Sequence, residues 1–200
     1  MSGRLVDVSG LPTYAYSHRS IMWWGTLGMV VIEGTVFAIA LVVYYYLRGL
    51  ATEWPIASAP PDLLWGTTMT GLLLVSGIPN HFAKKAAEEE NLRGARIWIG
   101  VMLVFGVAAL AVRAAAFPAL NTHWQWNAYG SIVYALIVLH TVHLLTDFID
   151  TVVLEVLVFT GPLNGRRFVD VSENADYWWF VVAAWLPIYF TVYLVPRISP

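Results

Sequence analysis

The run from Asn127 to Phe159, NAYGSIVYALIVLHTVHLLTDFIDTVVLEVLVF, is long and apolar enough to cross a bilayer, yet it carries two histidines and three carboxylates. His140, His143, Asp147 and Asp150 follow one another at spacings of 3, 4 and 3 residues, which on an α-helix draws them into one stripe. Ionisable groups inside a bilayer are costly and face protein or a wet cavity rather than lipid. A helix of this kind must have a protein-facing or wetted side, and the rest of the chain has to supply it.

Composition agrees. Of 200 residues 58% are hydrophobic and 12% charged, with a mean hydropathy of +0.65. The charged share is about half the roughly 25% usual for soluble domains, so an integral membrane protein is expected. The net charge of −2 and the scatter of basic residues among short loops give no nucleic-acid patch. The chain has no cysteine, which excludes disulfides, thiolate metal ligands and thiol catalysis. The polar first 20 residues, including Arg4, Asp7, His18 and Arg19, lack the apolar core of a signal peptide, so the first hydrophobic segment is expected to be retained as a span.

Five spans are expected, at about residues 22–47, 63–82, 95–117, 127–158 and 177–195, forming an all-α bundle within one domain, 1–200. Aromatic clusters at Trp23-Trp24, Tyr44-Tyr45-Tyr46 and Tyr177-Trp178-Trp179 suit the two interfacial belts. Pro79, Asn80 and His81 are read as the end of the second span and Ala83 to Arg96 as a surface loop whose closely spaced Lys, Glu and Arg suit a solvated helical turn or two. The third span offers Ala108, Ala111 and Ala115 as a small-residue face, with Arg113 snorkelling to the interface. Gly161 to Asp176 reads as a polar loop, and Pro187 should loosen the last helix. Eight of the eleven Lys and Arg residues fall on one side, which places the N-terminus in the cytoplasm and the C-terminus outside.

Glu33, near the middle of the first span, is the most informative residue. A carboxylate there must be protonated, paired or hydrated. It is read either as a proton-handling or lipid-organising site, or as one end of an interhelical hydrogen bond to a histidine of the fourth span. His140 and His143 share a face and could begin a metal site with Glu33, Asp147 and His81. The Glu-x-x-His pairing of helical di-metal sites is missing, however, and packed, hydrogen-bonded histidines are expected instead. Asp147, Asp150 and Glu155 could line an entry for protons, but are read first as the wet end of a protruding helix. His123 has no evident partner, and no catalytic residues or metal site are assigned. A nucleotide loop, a nucleophile elbow and an HExxH motif are all absent.

The residues carry a resemblance over nearly the whole length. WWGTLGMVVIEGTVFAIALVVYYYLR (Trp23 to Arg48), GLLLVSG (Gly71 to Gly77), YGSIVYALIVLHTVHLL (Tyr129 to Leu145) and ADYWWFVVAAWLPIYFTVYL (Ala175 to Leu194) resemble, in order, segments of subunit III of the haem–copper oxidases in its short five-helix form. The Gly-Ser followed by His-x-x-His is the most specific piece. Trp179 and Val182 depart from the family pattern, which usually has His and Asp there.

The resemblance implies a bacterial inner-membrane subunit without redox centres of its own, in a cytochrome c oxidase with haem and copper in the partner chains. It implies packing on the catalytic subunit I, contact with subunit II, bound phospholipid, and support of proton uptake and turnover stability. Glu33 matches the family's buried carboxylate, and His140 and His143 its helix histidines. A quinol oxidase or nitric oxide reductase accessory subunit is the nearest alternative, and a stand-alone membrane metalloenzyme or transporter the alternative of another class. Longer members of the family have two further N-terminal helices forming one arm of a lipid-filled cleft. Here the cleft is expected to be completed by another subunit, open, or absent.

Overall fold

A computed structural model describes residues 14–161 and 165–198. Arg4 and Asp7 of the polar arm lie outside them. The described chain forms five long helices, α1 (Ile21–Leu50), α2 (Leu63–Glu88), α3 (Leu92–Ala116), α4 (Ala128–Thr160) and α5 (Gly165–Tyr189). A π-helical turn, Phe190–Leu194, and the short α6, Val195–Ile198, follow directly. No strand occurs among the described residues.

Helix starts follow capping chemistry. Ser20, Asp62, Asn91 and Asn127 each precede a helix and accept a hydrogen bond from a backbone N–H two or three residues on, satisfying one of the orphan donors of the first turn. Asn127 also donates to the Ile56 carbonyl at 2.9 Å, tying α4 to the loop after α1. The connection between α2 and α3 is very short, with Glu90 in the left-handed region at φ 52°.

Two stretches expected to be loops are helical. α2 runs through Pro79, Asn80 and His81 and absorbs Ala83 to Glu88. Asn80 is buried and donates to the Ala175 carbonyl at 2.8 Å, and Lys84 pairs with Asp176 at 2.5 Å. The polar residues thus point at α5 rather than breaking the helix. α5 likewise begins at Gly165, not at Tyr177, because Ser172, Glu173 and Asn174 bond to neighbouring helices. The loosening expected near Pro187 takes the form of the π-helical turn that begins three residues on, the usual accommodation of a broken i→i−4 ladder.

α2, α3, α4 and α5 close a ring in which each helix packs on the next, and α1 lies outside it in the groove between α4 and α5. Among the described residues four helices are long and apolar enough to cross a membrane: α1, α3, α4 and the continuous stretch Arg167–Ile198. α1 keeps almost all of its apolar surface exposed, with only Phe37 and Tyr44 buried. The buried small residues of α3 are Ala95, Gly106, Ala109 and Ala116, not the face through Ala108, Ala111 and Ala115, since Ala111 is exposed. A Cβ on Gly106 would lie 2.5 Å from the Phe148 ring, so this glycine sets how closely α3 approaches α4.

The candidate functional site is a polar column between three helices

The buried polar side chains follow α4. At its middle, Glu33 of α1 accepts a hydrogen bond from the Tyr177 hydroxyl of α5 at 2.6 Å and lies 3.5 Å from His143 Nε2 of α4. His143 Nδ1 donates to the Leu139 carbonyl at 2.7 Å, since a carbonyl can only accept. That leaves Nε2 facing Glu33, so a proton at this joint has two places to sit: the carboxyl oxygen or the imidazole nitrogen. Phe37 packs its ring 4.8 Å from the His143 ring and closes the joint on the α1 side. Glu33 therefore does pair with a fourth-helix histidine. Tyr177, unnoticed in the sequence because it reads as a belt aromatic, completes the bridge between helices.

One turn further along α4, toward its N-terminus, His140 is fully buried and joins a different partner. Arg113 Nη2 donates to His140 Nδ1 at 2.9 Å, and His140 Nε2 donates to the Val181 carbonyl at 3.0 Å, which fixes the tautomer because a guanidinium cannot accept. The Arg113 guanidinium lies 4.4 Å over the Trp185 ring. Snorkelling is thus overturned: Arg113 is 2% exposed, held inside the bundle by an imidazole and an indole face. Among the described residues no carboxylate lies within ion-pair distance of it. The signal available in the sequence was its position three residues short of the helix end, from which a long side chain reaches either lipid headgroups or the core.

Toward the C-terminal end of α4, Asp147 is buried, not at a wet helix end as expected, while Asp150 is exposed. Asn174 of α5 donates to Asp150 at 3.0 Å and reaches Asp147 at 3.5 Å. Asp147, Asp150, Glu173, Asn174 and Tyr177 line a cavity of about 480 Å³ between α1, α4 and α5. Glu173, also missed in the sequence because its segment read as a loop, is 5% exposed. Glu155 lies two turns past Asp147, half-buried against Gly100 of α3.

The other histidines stand apart. His81 is exposed against Phe82, and His123 is exposed between the rings of Trp126 and Tyr134. Among the described residues no group of three or more His, Asp or Glu side chains could hold a metal ion.

Long apolar helices cross-linked by buried polar side chains define a multi-helix membrane protein. Over 92% of its length, and 92% of the relative's, the chain is 22% identical to cytochrome c oxidase subunit 3 of Thermostichus vulcanus. Over 98% of both chains it is 24% identical to cytochrome c oxidase subunit 3 of Alkalihalophilus pseudofirmus. It is also 23% identical, over 86% of its length and 82% of the relative's, to cytochrome bo(3) ubiquinol oxidase subunit 3 of Pseudomonas aeruginosa. No family model matches. Over nearly its whole length the chain is similar to third subunits of haem–copper oxidases.

Proposed function

We propose that this chain is the accessory subunit III of a bacterial terminal oxidase of the cytochrome c oxidase type, packing on the haem-bearing subunit I beside subunit II. The observation that carries the reading is end-to-end similarity to oxidase third subunits at nearly full length on both sides. The site fits a supporting role: Glu33, His140 and His143 are bonded to Tyr177, Arg113 and backbone carbonyls, which ties four helices together. Interhelical bonds of this kind are worth about 0.6–2 kcal/mol each inside a membrane. In this reading redox chemistry belongs to haem and copper in the partner chains, and phospholipid covers the exposed apolar surface of α1. Asp147 and Asp150 shape the cytoplasmic face near proton uptake.

All five long helices cross the membrane in this reading. α2 has 26 residues and so about 39 Å of length. Its buried polar groups, Ser76 and Asn80, bond to α5 through Trp178 and the Ala175 carbonyl, so its lower hydropathy reflects contacts inside the bundle. With five crossings the two ends of the chain lie on opposite sides, and the excess of basic residues on one side supports a cytoplasmic N-terminus. The similarity to a ubiquinol oxidase subunit 3 favours one second reading, the same role in a quinol oxidase.

The test is purification in mild detergent through a tag on this chain, followed by a haem spectrum and mass spectrometry of the companions. Haem with a large many-span partner is the expected result; a binuclear-copper subunit selects cytochrome c as donor, and its absence selects quinol. A bare chain with no haem overturns the reading.

A further inference from the structure

We infer that the cavity between α1, α4 and α5 binds a primary ammonium on a short aliphatic stem, held by Asp147 of α4 and Glu173 of α5. The inference rests on this cavity alone and not on the identity of any partner subunit.

The acids that line the cavity form two layers. Asp147 and Asp150 stand one turn apart on α4, and Glu173 and Asp170 one turn apart on α5, so each helix offers a deep and an outer carboxylate. The outer layer is already served: Asn174 donates to Asp150 at 3.0 Å, and Arg167 pairs with Asp170 at 3.5 Å. The deep layer is not. Asp147 and Glu173 are 2% and 5% exposed, and each keeps one carboxylate oxygen without a hydrogen-bond partner. Among the described residues no Lys, Arg or His lies within ion-pair distance of either. An unpaired buried carboxylate is costly, and one cation in the cavity offsets that cost for both.

The kind of cation follows from the acceptors and the walls. Among the described residues no group of three or more His, Asp or Glu could hold a metal ion, so the carboxylates do not converge on a single point. An ammonium carries three N–H donors, enough to reach both open oxygens and one further acceptor. Asn174 and Thr26 already bond to the same two carboxylates, and a buried ion pair needs such added hydrogen bonds to be tolerated. The other walls are apolar: Met22 and Met29 of α1, and Val153, Leu154 and Leu157 of α4. They suit an aliphatic stem, and the methionines adapt to its shape. The volume of about 480 Å³ lies within the range of small-molecule pockets.

Bound there, the ammonium bridges α4 to α5 beside the first three turns of α1. No covalent step is involved: the ligand enters as the protonated amine and leaves as the same species. It brings the counter-charge that the fold itself does not supply at the deep layer. A ligand that binds only the folded bundle also stabilises it.

The experiment is calorimetric titration of the full chain, with whatever subunits accompany it, with n-butylamine at neutral pH in a detergent that carries no amine. Saturable binding and a raised thermal midpoint are expected. Affinity should grow up to about fourfold per methylene from methylamine to butylamine, as each carbon leaves water. Asp147→Asn and Glu173→Gln, which keep the shape of the cavity, should each weaken binding about tenfold or more, the low end for a hydrogen bond to a charged group. Met29→Trp fills the cavity from a half-exposed wall position, so it should fold and weaken binding likewise even where a carboxylate variant does not fold. Two controls fix the chemistry: n-butanol has the stem without the charge, and tetramethylammonium has the charge without an N–H. Neither should compete. Absence of saturable binding, equal binding of either control, or affinity unchanged in the carboxylate variants and in Met29→Trp overturns the site. The haem spectrum decides the subunit reading separately, so the two can fail independently.

Discussion

Tyr177 and Glu33 come from helices that meet only because α1 lies in the groove between α4 and α5, and their 2.6 Å hydrogen bond is a principal polar tie holding α1 to the ring. Removing the hydroxyl in Tyr177→Phe should cost about 1–2 kcal/mol. The loss should appear as earlier unfolding in detergent and faster hydrogen exchange in α1, with α2 to α5 unchanged. Glu33→Gln keeps an oxygen that can accept from Tyr177, so assembly should survive. A large loss of sustained turnover in that variant, with subunit I still bound, would assign Glu33 a protonation or lipid role beyond bonding.

His140 is the hydrogen-bond partner that keeps Arg113 tolerable inside the bundle. His140→Leu should destabilise the protein by about 3–5 kcal/mol, the usual cost of stranding a buried charge. Adding Arg113→Met should recover most of that loss, because the cation that needed a partner is gone. Denaturant titration of the single and double variants measures both numbers. Equal stability of the single and double variants would show that Arg113 finds water elsewhere.

Gly66 packs against the buried ring of Tyr193, and a Cβ there would lie 2.6 Å from the ring. The ring is enclosed and cannot swing aside cheaply, so Gly66→Ala should destabilise by about 1–3 kcal/mol through overpacking. Gly71→Ala, on the same helix, meets nothing within 4 Å and serves as the control. The contrast is read from their thermal midpoints.

Outside the spans, Tyr16 donates to the Ala87 carbonyl at 3.2 Å and pins the segment before α1 to the end of α2. Burial, helped by nearby Glu90, pushes its phenol up to about 12. The folded state therefore holds this proton more tightly than the unfolded chain. The resulting stabilisation is complete below about pH 10, the ordinary tyrosine value, and is lost as pH rises toward 12. Limited proteolysis of the N-terminal segment should rise over that interval in the wild-type protein. In Tyr16→Phe, which lacks the titrating group, the rise should be smaller.

The sequence by itself determined the membrane class, the helical content and the polar stripe of α4, because a long apolar run with ionisable residues at helical spacing permits little else. It also singled out Glu33 and offered a histidine of the fourth span as its partner, without saying which. The bounds of α2 and α5 were legible only in part, since a polar segment looks the same in one dimension whether it faces water or a neighbouring helix. Asn80, Lys84, Glu173 and Asn174 are helical because other helices satisfy them. Only the tertiary structure decided which histidine meets which partner: Glu33 takes His143, and Arg113 takes His140. Those pairings depend on how far each helix is rotated and shifted against the next, and that is set by contacts such as Gly106 on Phe148 and Gly66 on Tyr193, between residues far apart in the chain. Spacing along one helix fixes a face; the partner on that face is chosen by packing.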